Sequence, residues 1–221
     1  MVIAAGGSGR RFGGSTPKQF RRLGGTPILQ RTIAAFHAVR AIGEIIVVVP
    51  ASHVGRAEAL VRRAGFTKVS RVVTGGKERQ DSVWNGLNAF SRVRPIVLVH
   101  DAVRPLVGKS VINHVISGAA RYGAAVVGIR VRDTIKLEQR RGFFATTLDR
   151  RALWAVQTPQ GFRSSLLMRA HREARRGRYL GTDEASLVER LGVPVRIITG
   201  EERNLKITTP NDLKVARMYL K

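Results

Sequence analysis

The chain has 221 residues, 39 of them Lys or Arg against 15 Asp or Glu, for a formal charge of +24, and it has no cysteine. That length suits one α/β domain with a buried core and is short for two, and the lack of cysteine excludes a disulfide framework, a thiolate metal site and a cysteine nucleophile. No apolar run approaches the roughly 20 residues that cross a bilayer, and no secretory leader pattern opens the sequence, so a cytoplasmic protein without a membrane partner is expected.

Val2-Ile3-Ala4-Ala5 reads as the buried end of a first strand and runs directly into Gly6-Gly7-Ser8-Gly9-Arg10-Arg11-Phe12-Gly13, with Lys18 five residues further on. Small residues let several backbone N–H groups face one anion, and Arg11 and Lys18 add fixed cations, so the segment reads as a polyphosphate site. Its spacing fits neither common signature. Gly7-x-Gly9 is followed by Gly13 rather than by a glycine at 12, and no Gly-Lys-Ser/Thr closes the loop.

Short apolar runs at 44–49, 69–73, 96–99 and 124–129 read as buried strands, and helical spacing over 28–39, 52–63, 81–90 and 109–121 separates them. This alternation predicts a parallel sheet wrapped by helices. In the third helix Val83, Leu87 and Phe90 share a face, with Asp81 or Ser82 as the expected cap. A last helix begins at Thr209-Pro210, threonine as cap and proline in the first turn. Residues 132–148, with Gly142 at a turn, depart from the βα rhythm and read as a protruding hairpin, which should pack against a second subunit.

Ligands of open parallel sheets gather beyond the carboxyl ends of the strands, where three polar segments fall: the glycine loop, Gly75-Gly76-Lys77-Glu78-Arg79-Gln80-Asp81-Ser82, and His100-Asp101-Ala102-Val103-Arg104-Pro105. Gly75-Gly76 and Ser82 offer N–H groups and a hydroxyl to a nucleotide, or form a tight turn before a capped helix. Asp101 is suited to Mg²⁺ and Arg104 to a phosphate, or the two pair and stiffen the turn. His100, without a metal-ligand cluster, reads as a packed, hydrogen-bonded side chain. The remaining basic residues are dispersed in pairs such as Arg62-Arg63 and Arg140-Arg141 and read as solvated surface, with nucleic acid bound only non-specifically through net charge.

In these segments the chain resembles the 2-C-methyl-D-erythritol 4-phosphate cytidylyltransferases of the non-mevalonate isoprenoid pathway. Besides the three segments above and Pro17-Lys18-Gln19-Phe20, the matching motifs are Arg132-Asp133-Thr134-Ile135-Lys136, Leu153-Trp154 with Gln157-Thr158-Pro159-Gln160, Thr182-Asp183-Glu184-Ala185-Ser186 and Asn204-Leu205-Lys206-Ile207-Thr208. The resemblance implies an α/β Rossmann-like nucleotidyltransferase fold, mostly parallel, in a single domain over 1–221 with a protruding β-hairpin arm at about 132–150. It implies transfer of CMP from CTP to methylerythritol 4-phosphate with Mg²⁺. Carried over by position, Arg11, Lys18 and Lys206 are the expected catalytic cations. Ala5, Gly6, Gly7, Gly9, Gly76, Ser82 and Ala102 are the expected CTP contacts. Asp101, Arg104 and Thr182 are expected at the acceptor, with Asp101 also near the metal. In a homodimer, Thr134 and Arg150 are expected to reach the acceptor pocket of the other subunit.

Gly6 stands where this family commonly has alanine, and Lys77 where a small or acidic residue is frequent. A sister cytidylyltransferase acting on ribitol 5-phosphate shares the glycine loop, the Asp-x-Val-Arg-Pro segment and the C-terminal run, and remains the alternative. A basic nucleic-acid-binding protein on the same fold is the alternative from another class. Glu78-Arg79-Gln80-Asp81-Ser82 and Asp149-Arg150 favour the methylerythritol family.

Overall fold

The structure, a computed structural model, describes residues 1–6, 12 and 17–220. Along the chain come β1 (Val2–Ala4), the short pair β2 (Arg22–Leu23) and β3 (Thr26–Pro27), α1 (Ile28–His37), β4 (Ile45–Val49), α2 (Val54–Arg63), β5 (Val69–Thr74), α3 (Arg79–Asn88), β6 (Ile96–Asp101) and α4 (Lys109–Tyr122). There follow β7 (Ala124–Arg130), β8 (Lys136–Arg140), β9 (Phe143–Thr147), β10 (Trp154–Arg163), α5 (Ser164–Arg176), α6 (Glu184–Glu189), β11 (Arg196–Thr199) and α7 (Pro210–Met218).

Seven strands form one sheet in the order β11-β7-β10-β6-β1-β4-β5. The strand β4 shows why the sequence folds this way. Ile45, Val47 and Val49 pack with Leu29, Ile33 and Phe36 of α1 and Ile112 and Val115 of α4, whereas Ile46 and Val48 pack with Val83 of α3 and Leu167 of α5. Both faces are covered, so the strand is a continuous β-branched run rather than an apolar–polar alternation. The sheet is mixed, because β10 runs antiparallel to both neighbours, β6 and β7, while β5, β4, β1 and β6 are parallel.

Several boundaries differ from the sequence reading. The helix expected from residue 52 begins at Val54, after a 3-10 turn over Ala51–His53. The strand expected from residue 44 begins at Ile45, and Glu44 is buried beside it, accepting hydrogen bonds from Ser70, Ser91 and Arg94. The cap of α3 is Glu78, not Asp81 or Ser82. Asp81 sits in the first turn, where its carboxylate accepts from the Glu78 N–H, and Ser82 turns its hydroxyl back to the Glu78 carbonyl. Thr209 caps α7 as expected, accepting from the Asp212 N–H.

The hairpin is present as β8 and β9, turning at Gly142 with φ 86°, a left-handed conformation that glycine adopts without strain. Every residue of both strands is exposed, including Leu137, Phe143 and Phe144.

Candidate active site

Strand register builds the rim. Ala4 lies level with Val48 of β4 on one side and Asp101 of β6 on the other, so all three strands end at the same height. Just beyond, the Ala5 N–H donates to the Val48 carbonyl, the Ala102 N–H to the Ala4 carbonyl and the Gly75 N–H to the Val49 carbonyl. The loops after β5 and β6 and the described start of the loop after β1 therefore leave from one rim. Gly7, Gly9 and Arg11 lie outside the described residues.

On the glycine side, the Ser82 hydroxyl accepts from the Gly76 N–H at 3.1 Å. The tight turn and the capped helix both exist. A Cβ on Gly76 would sit 2.3 Å from the Asp81 Cβ, and one on Gly6 3.1 Å from the Ser82 hydroxyl oxygen. The first contact is forbidden and the second tight, so glycine at position 6 leaves room around Ser82.

Lys18 opens a 3-10 turn over Lys18–Phe20 whose Gln19 side chain is buried and donates to the Ala5 carbonyl at 2.9 Å, tying the turn to the end of β1. The Lys18 charge acts on Asp212 in the first turn of α7. Burial works against the Asp212 carboxylate, but N–H groups of Thr208 and Thr209, the Thr209 hydroxyl and lastly Lys18 outweigh it and hold the carboxyl below its ordinary range.

Asp101 is the centre of a cluster of three cations. Its Oδ1 meets the Arg79 Nε at 3.4 Å, and its Oδ2 meets the Lys206 ammonium at 2.8 Å and the Arg104 Nε at 3.8 Å. Burial alone would raise the carboxyl, but Arg79, Lys206 and Arg104 outweigh it and hold it far below the ordinary range. Arg104, nearly buried, anchors through the Asn204 carbonyl at 2.7 Å. The Asn204 amide in turn donates to the Thr158 carbonyl at 2.8 Å and to Gln157 Oε1 at 3.1 Å. This sets the segment carrying Lys206 beside β6, with the Ile207 N–H on the Val103 carbonyl.

His100 is fully buried with its ring 4.6 Å from that of Phe36. Its Nε2–H donates to the Arg104 carbonyl, and its Nδ1 faces the Thr158 hydroxyl, which also accepts from the Asp101 N–H. Burial lowers its pKa to about 3, so it is a neutral scaffold for the Asp101–Arg104 turn.

Sequence reasoning missed two members of the cluster. Arg79 donates through Nη1 to both oxygens of Glu184 at 2.9 and 2.8 Å, in addition to its contact with Asp101. Glu184 is the first residue of α6, and its side chain is 1% exposed. Burial opposes the charge on Arg79, yet Glu184 and Asp101 outweigh it and raise the guanidinium above its ordinary value. Burial also pushes the Glu184 carboxyl up, against the pull of Arg79. Thr182 is exposed just ahead of this helix, in a loop fixed by Gln80, which donates to the Tyr179 carbonyl and accepts from the Gly181 N–H. Thr134 and Arg150 are exposed on or beside the arm, and Arg150 bonds the Arg132 carbonyl. No bond or ion pair among the described residues joins either to the Asp101 cluster.

Glycine-rich backbone, a hydroxyl and a cation cluster at the carboxyl ends of parallel strands define an α/β protein of the nucleotidyltransferase class. Across residues 1–221 the chain matches the family model for 2-C-methyl-D-erythritol 4-phosphate cytidylyltransferase (IspD), and it belongs to that family. A relative of that name from Pelotomaculum thermopropionicum is 47% identical over 221 residues, covering 100% of this chain and 93% of the relative. Another from Symbiobacterium thermophilum is 48% identical over 220 residues, covering 100% and 92%. The crystal structure of the enzyme of that name from Thermus thermophilus superposes with a TM-score of 0.81 at 36% identity, covering 99% of this chain and 96% of that one.

Proposed function

We propose that this chain transfers CMP from CTP to the 4-phosphate of 2-C-methyl-D-erythritol and releases pyrophosphate. The observation that carries this reading is the Asp101 cluster, where three cations from three segments gather around one carboxylate at the rim reached by the Gly76–Ser82 turn. The names of the relatives supply the acceptor.

An oxygen of the acceptor phosphate attacks the α-phosphorus of CTP, a new P–O bond forms, and the bond to the β-phosphate oxygen breaks with its electron pair leaving on pyrophosphate. A phosphate monoester is largely ionised near neutral pH, so no protein base is required. The obstacle is pressing two anions together, which fixed cations relieve. In this reading Ala5, Gly6, Gly7, Gly9, Gly76, Ser82 and Ala102 border CTP. Arg11 and Lys18 take charge from the leaving pyrophosphate, Lys206 stands at the reacting phosphates, and Asp101, Arg104 and Thr182 border the acceptor.

Mg²⁺ is assigned to CTP as its phosphate-bound counter-ion. Among the described residues no group of His, Asp and Glu forms a metal cage, and both Asp101 oxygens already face cations. The protein groups alone do not fit a resident metal, and no step depends on one.

The exposed arm supports a homodimer in which Thr134 and Arg150 reach the acceptor pocket of the second subunit. The unit is read as one catalytic domain acting in the cytoplasm. No helix among the described residues is long and apolar enough to cross a membrane. Nucleic acid is expected to bind only at low salt, through the charge of +24.

The test is pyrophosphate release from CTP and Mg²⁺ with methylerythritol 4-phosphate and, in parallel, ribitol 5-phosphate. Turnover with the first acceptor alone is expected. Turnover with the second keeps the chemistry and changes the substrate, and silence with both overturns the reading.

A further inference from the structure

Arg79 joins three elements that are far apart in sequence. It opens α3, three residues before Ser82, whose hydroxyl holds the Gly76 turn. It contacts Asp101 at the end of β6, and it grips Glu184 at the start of α6, two residues after Thr182. Its bonds divide the work by atom. Nη1 is spent on both oxygens of Glu184, while Nε meets only Oδ1 of Asp101, leaving Oδ2 to Lys206 and Arg104.

A buried carboxylate ringed by cations turns toward whichever pulls hardest. Arg79 is fixed by a two-oxygen contact with Glu184, a buried side chain at the start of α6, which Gln160 holds in place. That glutamine donates to the Asp183 carboxylate at 2.6 Å and accepts from the Ala185 N–H at 3.2 Å. A planar guanidinium anchored at two of its nitrogens, Nη1 on Glu184 and Nε on Asp101, sets direction as well as charge.

We propose that Arg79, locked by Glu184, is a positioning residue that fixes the plane of the Asp101 carboxylate and thereby the place of the Lys206 ammonium. The inference rests on the reading of Lys206 as a cation at the reacting phosphates. Without Arg79 the carboxylate rotates, both oxygens become available to Lys206, and the ammonium is drawn away from where charge develops. Misplacement of a reacting group by about 1 Å costs on the order of 10²-fold in rate.

The experiment is a double-mutant cycle. Arg79→Gln leaves Glu184 buried without its partner, so the paired variant Arg79→Gln/Glu184→Gln, which removes both charges, is made beside it. Each is measured in the native background and with Lys206→Ala, and melting temperatures confirm folding. In the native background kcat is expected to fall about 10²-fold with the acceptor KM changed much less. With Lys206→Ala the same change should cost less than about threefold, because the residue it acts through is already gone. Losses that multiply overturn the inference. Crystal structures of the same variants give a second readout that holds even if no acceptor turns over. Lys206 should shift relative to the Asp101 carboxylate plane, and an unchanged plane with Lys206 still on Oδ2 also overturns it. Silence of the native enzyme with both acceptors would count against the proposed reaction and not against this geometry.

Discussion

The Lys206 ammonium stands 2.8 Å from Oδ2 of Asp101 while about two-fifths of its side chain stays open to solvent, so the pair is fixed at one end and accessible at the other. Asp101 is nearly buried and anchored on the sheet, whereas the Lys206 side chain stays partly exposed. A cation held in this way needs little rearrangement when a phosphate arrives.

Lys206→Ala and Lys18→Ala are each expected to lower kcat for pyrophosphate release by on the order of 10²–10³. Folding should persist, since Asp101 keeps Arg79 and Arg104 as partners when Lys206 is removed. Near-native turnover in both variants would remove the cation mechanism.

Gly76→Ala tests the nucleotide side. The new Cβ would lie 2.3 Å from that of Asp81, so the turn must shift and the Ser82 bond to the Gly76 N–H is lost. Losing one positioned N–H contact is worth about 1 kcal/mol, or several-fold to tenfold in the KM for CTP. Steady-state kinetics with CTP varied at saturating acceptor should show that rise, and an unchanged KM would detach this turn from nucleotide binding.

Subunit mixing tests whether the arm acts across a dimer. Lys206→Ala protomers and Arg150→Ala protomers should each be nearly inactive, but mixed after reversible dissociation they should recover about a quarter of native activity. Half of the dimers are then mixed, and each mixed dimer keeps one complete site. Activity that stays at the level of the parents would place Arg150 and Lys206 in the same protomer's site or in none.

His171 on α5 gives a prediction about pH. It is fully buried, its ring is 5.9 Å from that of Trp84, and neither nitrogen meets a hydrogen-bond partner. Burial, with Arg79 and Arg175 nearby, lowers its pKa from 6.5 to about 4. The unfolded chain therefore binds more protons between those values, and the stability contribution is complete above pH 6.5 and declines as pH falls through that window. His171→Leu removes the unpaired polar atoms at similar volume and should raise the urea midpoint, by more at about pH 5 than at about pH 8. The difference is about 2 kcal/mol for a window of this width. An equal effect at both pH values would show that His171 does not titrate on unfolding.

The parts of this molecule that could be read from sequence are those governed by short-range rules. Continuous β-branched runs such as 45–49 announce strands covered on both faces, and the glycine at 142 announces the tip of the hairpin. The cap of α3 escapes sequence reasoning because Glu78 is not a usual capping residue, while Asp81 and Ser82 are. The direction of β10 is hidden for another reason. Its Pro159 and Gly161 are residues that strand interiors disfavour, and its antiparallel place is set by pairing with β7, from which the whole arm separates it, and with β6, which lies further back still. Arg79 and Glu184 both fall within recognisable motifs, yet a bond between residues 105 positions apart leaves no local signal. The sequence places Arg79 in a rim segment but gives it no role until Glu184 is brought beside it.

Arg130 and Trp154 face each other across the β7–β10 ladder, and the guanidinium of the first lies 4.3 Å from the ring centre of the second. The chain thus leaves the sheet for the arm and re-enters it through one doorway. Everything between, residues 131–153, is an excursion that begins and ends at neighbouring points, so its length and shape can change without altering the register of any other strand. The arm is in this sense a detachable module. Replacing it with a short turn should leave a folded body with intact strand ends, and exchanging it between relatives should transfer whatever pairing preference it encodes.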